Sequence, residues 1–131
     1  MSECILDASA LLALIFDEPG RDRVAKTLPG AIVSTINLAE VATRLFDAGI
    51  PSDTVLQIFE ELQLTVISFE ADQALTAAKF REPTRAAGLS LGDRACLSVA
   101  HHLRIPVLTA DRVWADLAEL LSVEVILIRG T

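Results

Sequence analysis

Ile5-Leu6-Asp7-Ala8-Ser9 and Val107-Leu108-Thr109-Ala110-Asp111 decide how this chain folds. Each is a short apolar run that stops at a carboxylate and gives way at once to a helical pattern. Three further runs, Ala31–Val33, Thr65–Ser68 and Glu124–Ile128, bring the expected strands to five, the first beginning at Cys4 and the fourth at Pro106. All are rich in Ile, Val and Leu with little polar alternation, as in strands buried on both faces. The spacing predicts helices over Ser9–Phe16, Asp22–Leu28, Thr35–Ala48, Pro51 or Ser52 to Leu62, Glu70–Arg81, Leu91–Leu103 and Arg112–Leu121. Within Thr35–Ala48, Leu38, Val41, Ala42 and Leu45 fall on one helical face, and Gly49 ends the helix. Pro83 interrupts helix, and Pro83–Gly88 is the most loop-like interior stretch. This alternation implies an α/β fold, a three-layer sandwich with a mainly parallel five-stranded sheet flanked by helices. With no linker, repeat or low-complexity segment, residues 1–131 are expected to form a single domain.

Composition narrows the function classes. Apolar residues make up 52% of the chain, more than one core of this size readily hides, so either a partner surface or an Ala- and Leu-rich helical make-up is expected. The longest stretch free of Asp, Glu, Lys and Arg, Thr27–Ala39, is too short to span a bilayer and carries Pro29 and Gly30. The N-terminus lacks a basic segment and Asp7 interrupts its apolar run, so no signal peptide and a cytoplasmic location are expected. Cys4 and Cys96 have no zinc-binding spacing, and the adjacent His101 and His102 would point about 100° apart on a helix. The net charge of −7 argues against a generic nucleic-acid binder, but Lys79–Arg112 holds six basic and three acidic side chains. That strip could grip a phosphate backbone or simply be a solvated surface; Arg85 and Arg94, which flank Asp93, are the expected contacts to such a backbone.

Asp7 and Asp111 stand where ligands bind in open parallel sheets, beyond the C-terminal strand ends. Each also suits the cap or first turn of the following helix. Asp93, in Ser90-Leu91-Gly92-Asp93, has the spacing of a capping box. Glu40 shares a polar line with Asn37 and Arg44 and has the spacing of an exposed Glu40–Arg44 pair. Together the four acids would repel one another and raise their own pKa values unless a hard cation neutralised them. A carboxylate set without Cys or His favours Mg²⁺ or Mn²⁺, which polarise phosphoryl groups and assist hydrolysis. Ser9 and Thr109, two residues from Asp7 and Asp111, could orient a carboxylate, although Ser9 also suits a helix cap. Asp116 is a weaker fifth acid.

Four stretches carry a family resemblance: Leu6-Asp7-Ala8-Ser9-Ala10-Leu11-Leu12-Ala13-Leu14, Asn37-Leu38-Ala39-Glu40-Val41, Gly88-Leu89-Ser90-Leu91-Gly92-Asp93-Arg94-Ala95-Cys96-Leu97 and Val107-Leu108-Thr109-Ala110-Asp111-Arg112-Val113-Trp114. With these the chain resembles the PIN domain, and within it the VapC-type toxins of prokaryotic toxin–antitoxin pairs. The resemblance covers nearly the whole chain, and its third and fourth stretches are the specific ones. It implies a Mg²⁺-dependent endoribonuclease, with Mn²⁺ as a possible substitute, that cuts single-stranded regions of RNA. It implies Asp7, Glu40, Asp93 and Asp111 as the catalytic acids, with Asp7, Asp93 and Asp111 as metal ligands. It further implies an antitoxin partner that wraps the toxin and blocks the site, and a homodimer. One departure is Val113, which stands where many members carry a further acid and puts a second metal in doubt. A PIN-like binding module without catalysis is the alternative, but it would be expected to have lost an acid. A phosphoacceptor domain calls for adjacent acids after the first strand and a late Lys, whereas Asp7 is single and no Lys follows Lys79. A DxD phosphatase fails because position 9 is Ser.

Overall fold

The computed structural model describes residues 3–130. Its strands are β1 (Ile5–Leu6), β2 (Ile32–Ser34), β3 (Thr65–Ile67), β4 (Val107–Thr109) and β5 (Val125–Leu127). Its helices are α1 (Ala8–Ile15), α2 (Arg21–Ala25), α3 (Thr35–Asp47), α4 (Ser52–Leu62), α5 (Ala71–Lys79), α6 (Arg81–Thr84), α7 (Leu91–Leu103) and α8 (Val113–Leu121). All strand pairs are parallel, in the order β3-β2-β1-β4-β5. The chain lays β2 and β3 outward on one side of β1, then crosses back to place β4 and β5 on the other side. Strand order therefore reverses between β1 and β4, and such a switch point opens a crevice beyond the strand ends.

Side-chain alternation divides the core into two layers. Leu6, Val33 and Leu108 face a layer with Leu11, Val24, Val41, Leu45 and Val55, drawn from α1 to α4. Ile5, Ile32 and Val107 face the opposite layer, with Phe80, Leu97, Val99, Trp114 and Leu121. The central strands β1, β2 and β4 are buried on both faces. Burial on both faces does not extend to the edges: Thr65 and Val66 of β3 are exposed, and all of β5 is half-buried. The apolar α1 is core, with Ala10 through Leu14 buried, and Phe16, just beyond it, is exposed.

Local chemistry sets the helix ends. Asp7 caps α1 by accepting the Ala10 N–H at 2.8 Å, Ser34 caps α3, and Ser90 with Asp93 forms a reciprocal capping box on α7. Gly49, at φ +84°, takes the left-handed position that closes α3. Pro83 lies within the single-turn α6 rather than in a loop, after α5 has ended at Lys79. No helix among the described residues is long and apolar enough to cross a membrane.

Candidate active site

The four acids reach one end of the sheet from four elements: Asp7 after β1, Asp111 after β4, Glu40 on α3 and Asp93 in the first turn of α7. Asp7 is the innermost, at 4% exposure. Thr109 Oγ1 donates to its Oδ2 at 2.6 Å, and Ser9 Oγ donates to the carboxylate from 2.7 Å. Ser9 Oγ also accepts the Ala110 N–H at 2.9 Å, which ties the two strand ends together, and Thr109 Oγ1 accepts the Asp111 N–H at 3.0 Å. Asp7 thus caps α1, while Ser9 serves the carboxylate. Burial pushes the Asp7 carboxyl up to about 6 against the pull of its Thr109, Ala10 and Ser9 hydrogen bonds, and the charge of Asp93 adds to the rise.

Glu40 is half-buried and makes no ion pair with Arg44. Its Oε1 accepts from Asn37 Nδ2 at 2.7 Å, so the exposed i,i+4 pair expected from spacing is not formed. The same Asn37 nitrogen donates to the Gly92 carbonyl at 3.2 Å, and Asn37 Oδ1 accepts from Ser34 Oγ at 2.9 Å. Asn37, fully buried, thereby holds α3 and α7 together and aims Glu40 between them. A Cβ at position 92 would collide with the Glu40 carboxylate, so glycine is what lets that carboxylate lie against α7. Burial raises the Glu40 pKa, its Asn37 hydrogen bond lowers it, and the Asp93 charge raises it further. Cys96, buried one turn beyond Asp93, has its thiol pushed up first by burial and then by the charges of Asp7, Asp93 and Glu40. Three of the acids thus bear on one small volume. In the sequence Asn37 shares only a polar line with Glu40; its spacing three residues before Glu40 is the signal of the contact.

Asp93 and Asp111 are held differently. Asp93 Oδ2 accepts the Ser90 N–H at 3.0 Å, and Asp111 Oδ1 accepts the Val113 N–H at 3.1 Å. Asp111 and Asp116 are exposed. As placed, no three Asp, Glu, His or Cys side chains among the described residues stand close enough to share one ion. Three of the four acids, Asp7, Asp93 and Asp111, accept a main-chain N–H at the start of the helix that follows or carries them. Glu40 Oε2, Asp93 Oδ1 and Asp111 Oδ2 nevertheless accept no hydrogen bond among the described residues. An all-oxygen donor set with no cationic side chain bonded to it fits a hard divalent cation in kind.

Of the expected RNA contacts, Arg85 is exposed and pairs with Glu82 at 3.4 Å. Arg94 needs correction: it is buried, and its Nη1 donates to the Ala77 carbonyl at 3.0 Å, near the end of α5. A guanidinium turned inward to neutralise a helix C-terminus is not presented to a phosphate backbone.

The PIN domain family model matches residues 4–120, and the chain belongs to this family. No curated protein sequence matches it. Among solved structures, it is similar to a toxin–antitoxin complex chain from Klebsiella pneumoniae (18% identity, TM-score 0.75, 98% of this chain and 100% of that one). A chain of DNA-bound VapBC from Salmonella typhimurium gives 18% identity and TM-score 0.71 over 98% and 100% of the two chains. VapC20 of Mycobacterium tuberculosis, described as a Sarcin-Ricin loop cleaving toxin, gives 17% and 0.70 over 87% and 94%. At these identities the likeness is one of fold.

Proposed function

We propose that the chain is a single PIN-like domain acting as a metal-dependent endoribonuclease. It hydrolyses phosphodiester bonds in single-stranded regions of RNA, as the cytoplasmic toxin of a toxin–antitoxin pair. The observation that carries this reading is the arrival of Asp7, Glu40, Asp93 and Asp111 at the β1/β4 switch point, stitched by Ser9, Thr109 and Asn37. Structured chemistry of this kind, concentrated at a strand-end crevice, supports a reacting site over a solvated surface.

Mg²⁺, or Mn²⁺ in its place, held by Asp7, Asp93 and Asp111, would supply Lewis-acid polarisation of the phosphoryl oxygens. The protein's own groups divide the remaining work. Ser9 and Thr109 fix the Asp7 carboxylate so that it cannot turn away. Asn37 fixes Oε1 of Glu40 and leaves Oε2 open to take a proton from the attacking water; its raised pKa suits a general base. Arg85 can exchange its solvent-exposed Glu82 partner for a phosphate at little cost. The substitution of Val113 for an acid supports one firmly held ion.

A partner surface lies on the outer side of α3 and α4. Leu38, Ala42, Phe46, Val55, Leu56 and Phe59 line an apolar groove of about 410 Å³, in which Phe46 and Leu56 are 48% and 63% exposed. This groove suits the apolar face of an antitoxin helix, and toxin–antitoxin complexes are what the similar structures contain. A homodimer completes the reading.

Cleavage of a structured RNA with Mg²⁺, with EDTA, and by Asp7→Asn tests the proposal. Cutting confined to single-stranded regions, lost in both controls, is expected. Equal activity in all three conditions would sink it.

A further inference from the structure

We infer that a cleft beside Glu40 binds a phosphate of the RNA chain adjoining the one that is cut, with Arg44 as its ligand; this rests on the nuclease reading above. The cleft has a volume of about 450 Å³ and is lined by Ala8, Leu12, Ala39, Glu40, Thr43 and Arg44. Ala8 follows Asp7 directly, and Glu40 forms part of the wall, so the cleft adjoins the acids. Among the described residues Arg44 is the one cation lining it, and it is exposed.

Glu and Arg four residues apart on a helix ordinarily pair. Here that partner has been taken away: Asn37 holds Glu40 Oε1, and the carboxylate lies against Gly92. Among the described residues the Arg44 side chain makes no ion pair with any other acid either. The neighbouring hydroxyl does not serve an anion, because Thr43 Oγ1 donates to the Ala39 carbonyl at 2.8 Å. Ala8, Leu12 and Ala39 give an apolar floor that suits the face of a ribose or base and offers nothing to a phosphate. Arg44 is therefore the free donor of the cleft, and its planar fork matches two phosphate oxygens.

Electrostatics gives this cation a task. The chain carries −7 overall, and four carboxylates gather at the site, so an RNA strand arrives against repulsion. A guanidinium one helical turn from Glu40 offsets that repulsion where the strand must pass. It also fixes the register of the strand relative to the acids, since phosphate contacts position a nucleic acid without reading its bases.

The test is binding of a single-stranded oligoribonucleotide to the full chain carrying Asp7→Asn, with and without Arg44→Ala or Arg44→Lys, over a salt series. A second set of oligonucleotides carries single neutral methylphosphonates in place of phosphates. Arg44→Ala is expected to weaken binding several-fold and to flatten the slope of log K against log salt by about 0.7. Arg44→Lys should recover part of the slope. One methylphosphonate position that weakens binding to the Asp7→Asn chain should have no further effect once Arg44 is Ala. An unchanged slope and methylphosphonate profile would overturn the subsite, as would loss of antitoxin binding alone. In the otherwise wild-type chain, the effect should fall on KM more than on kcat. Failure of the wild type to cleave any RNA would instead remove the nuclease reading, while the binding arm still decides whether Arg44 holds a phosphate.

Discussion

Asp7 and Asp111 close two neighbouring parallel strands, yet the fold holds them in opposite ways. Asp7 is buried, its two oxygens engaged by Ser9, Thr109 and the Ala10 N–H. Asp111 is exposed, with one oxygen on the Val113 N–H and the other free. The same division separates Glu40, locked by a buried Asn37, from Asp93, which caps its own helix. The inner pair accepts side-chain donors, Ser9 and Thr109 on Asp7 (which takes the Ala10 N–H as well) and Asn37 on Glu40, and burial raises both pKa values. The outer pair is held by main-chain N–H groups at helix starts, an ordinary structural role that leaves an oxygen free. Capping and function are thus compatible at one residue, and the inner pair is where the fold sustains an electrostatic cost.

The largest expected effect exploits that cost. The folded-state pKa of Asp7, about 6, lies above its ordinary 3.8, so between those values the folded chain binds more protons than the unfolded one. Its contribution to stability is full below the unfolded pKa and is lost as pH rises through about 6, a change of about 3 kcal/mol. Urea titrations without divalent metal across pH 4 to 7, run at about unit intervals, should show this decline in wild type and a flatter profile in Asp7→Asn. Parallel profiles would place the inner and outer acids on one footing.

Asn37→Ala should come next. It removes the donor shared by Glu40 and Gly92 and leaves buried groups without partners, lowering stability by about 2 kcal/mol and reducing kcat. Gly92→Ala should separate the two effects. The added methyl meets the tip of the Glu40 side chain, which can swing aside, and Ala gains helix propensity. Stability should stay within about 1 kcal/mol while cleavage falls sharply. A large destabilisation in thermal melts would mean that Glu40 cannot move and that the helices shift instead.

The smallest stability effects belong to Asp93→Asn and Asp111→Asn. Asn still accepts a capping hydrogen bond, so each should cost about 0.5 kcal/mol in metal-free urea titrations. A larger loss would erase the distinction between the pairs.

Much of the fold was legible because strand-ending acids, Ile- and Val-rich runs and cap residues are local signals. The five strands and Thr35–Asp47 fall where pattern and Gly49 place them. What could not be read depends on neighbours distant in sequence. Glu40 had the spacing of an Arg44 pair, and only the approach of α7 explains why Asn37 takes it instead. Arg94 looked like part of a basic strip, but α5 packs over it and offers the Ala77 carbonyl. The exposure of β3 followed from its place at the sheet edge, which a run of apolar residues does not encode. The candidate site was legible as four acids, but not as an inner pair and an outer pair.

Calorimetric titration of the metal-free chain with Mn²⁺ at pH 7.5 and at pH 5 tests the central claim most directly, with Asp7→Asn beside wild type. Wild type should bind one ion firmly at the higher pH and less well at the lower, where Asp7 takes up a proton, and Asp7→Asn should lose that binding. An identical isotherm for wild type and Asp7→Asn at both pH values would contradict the account.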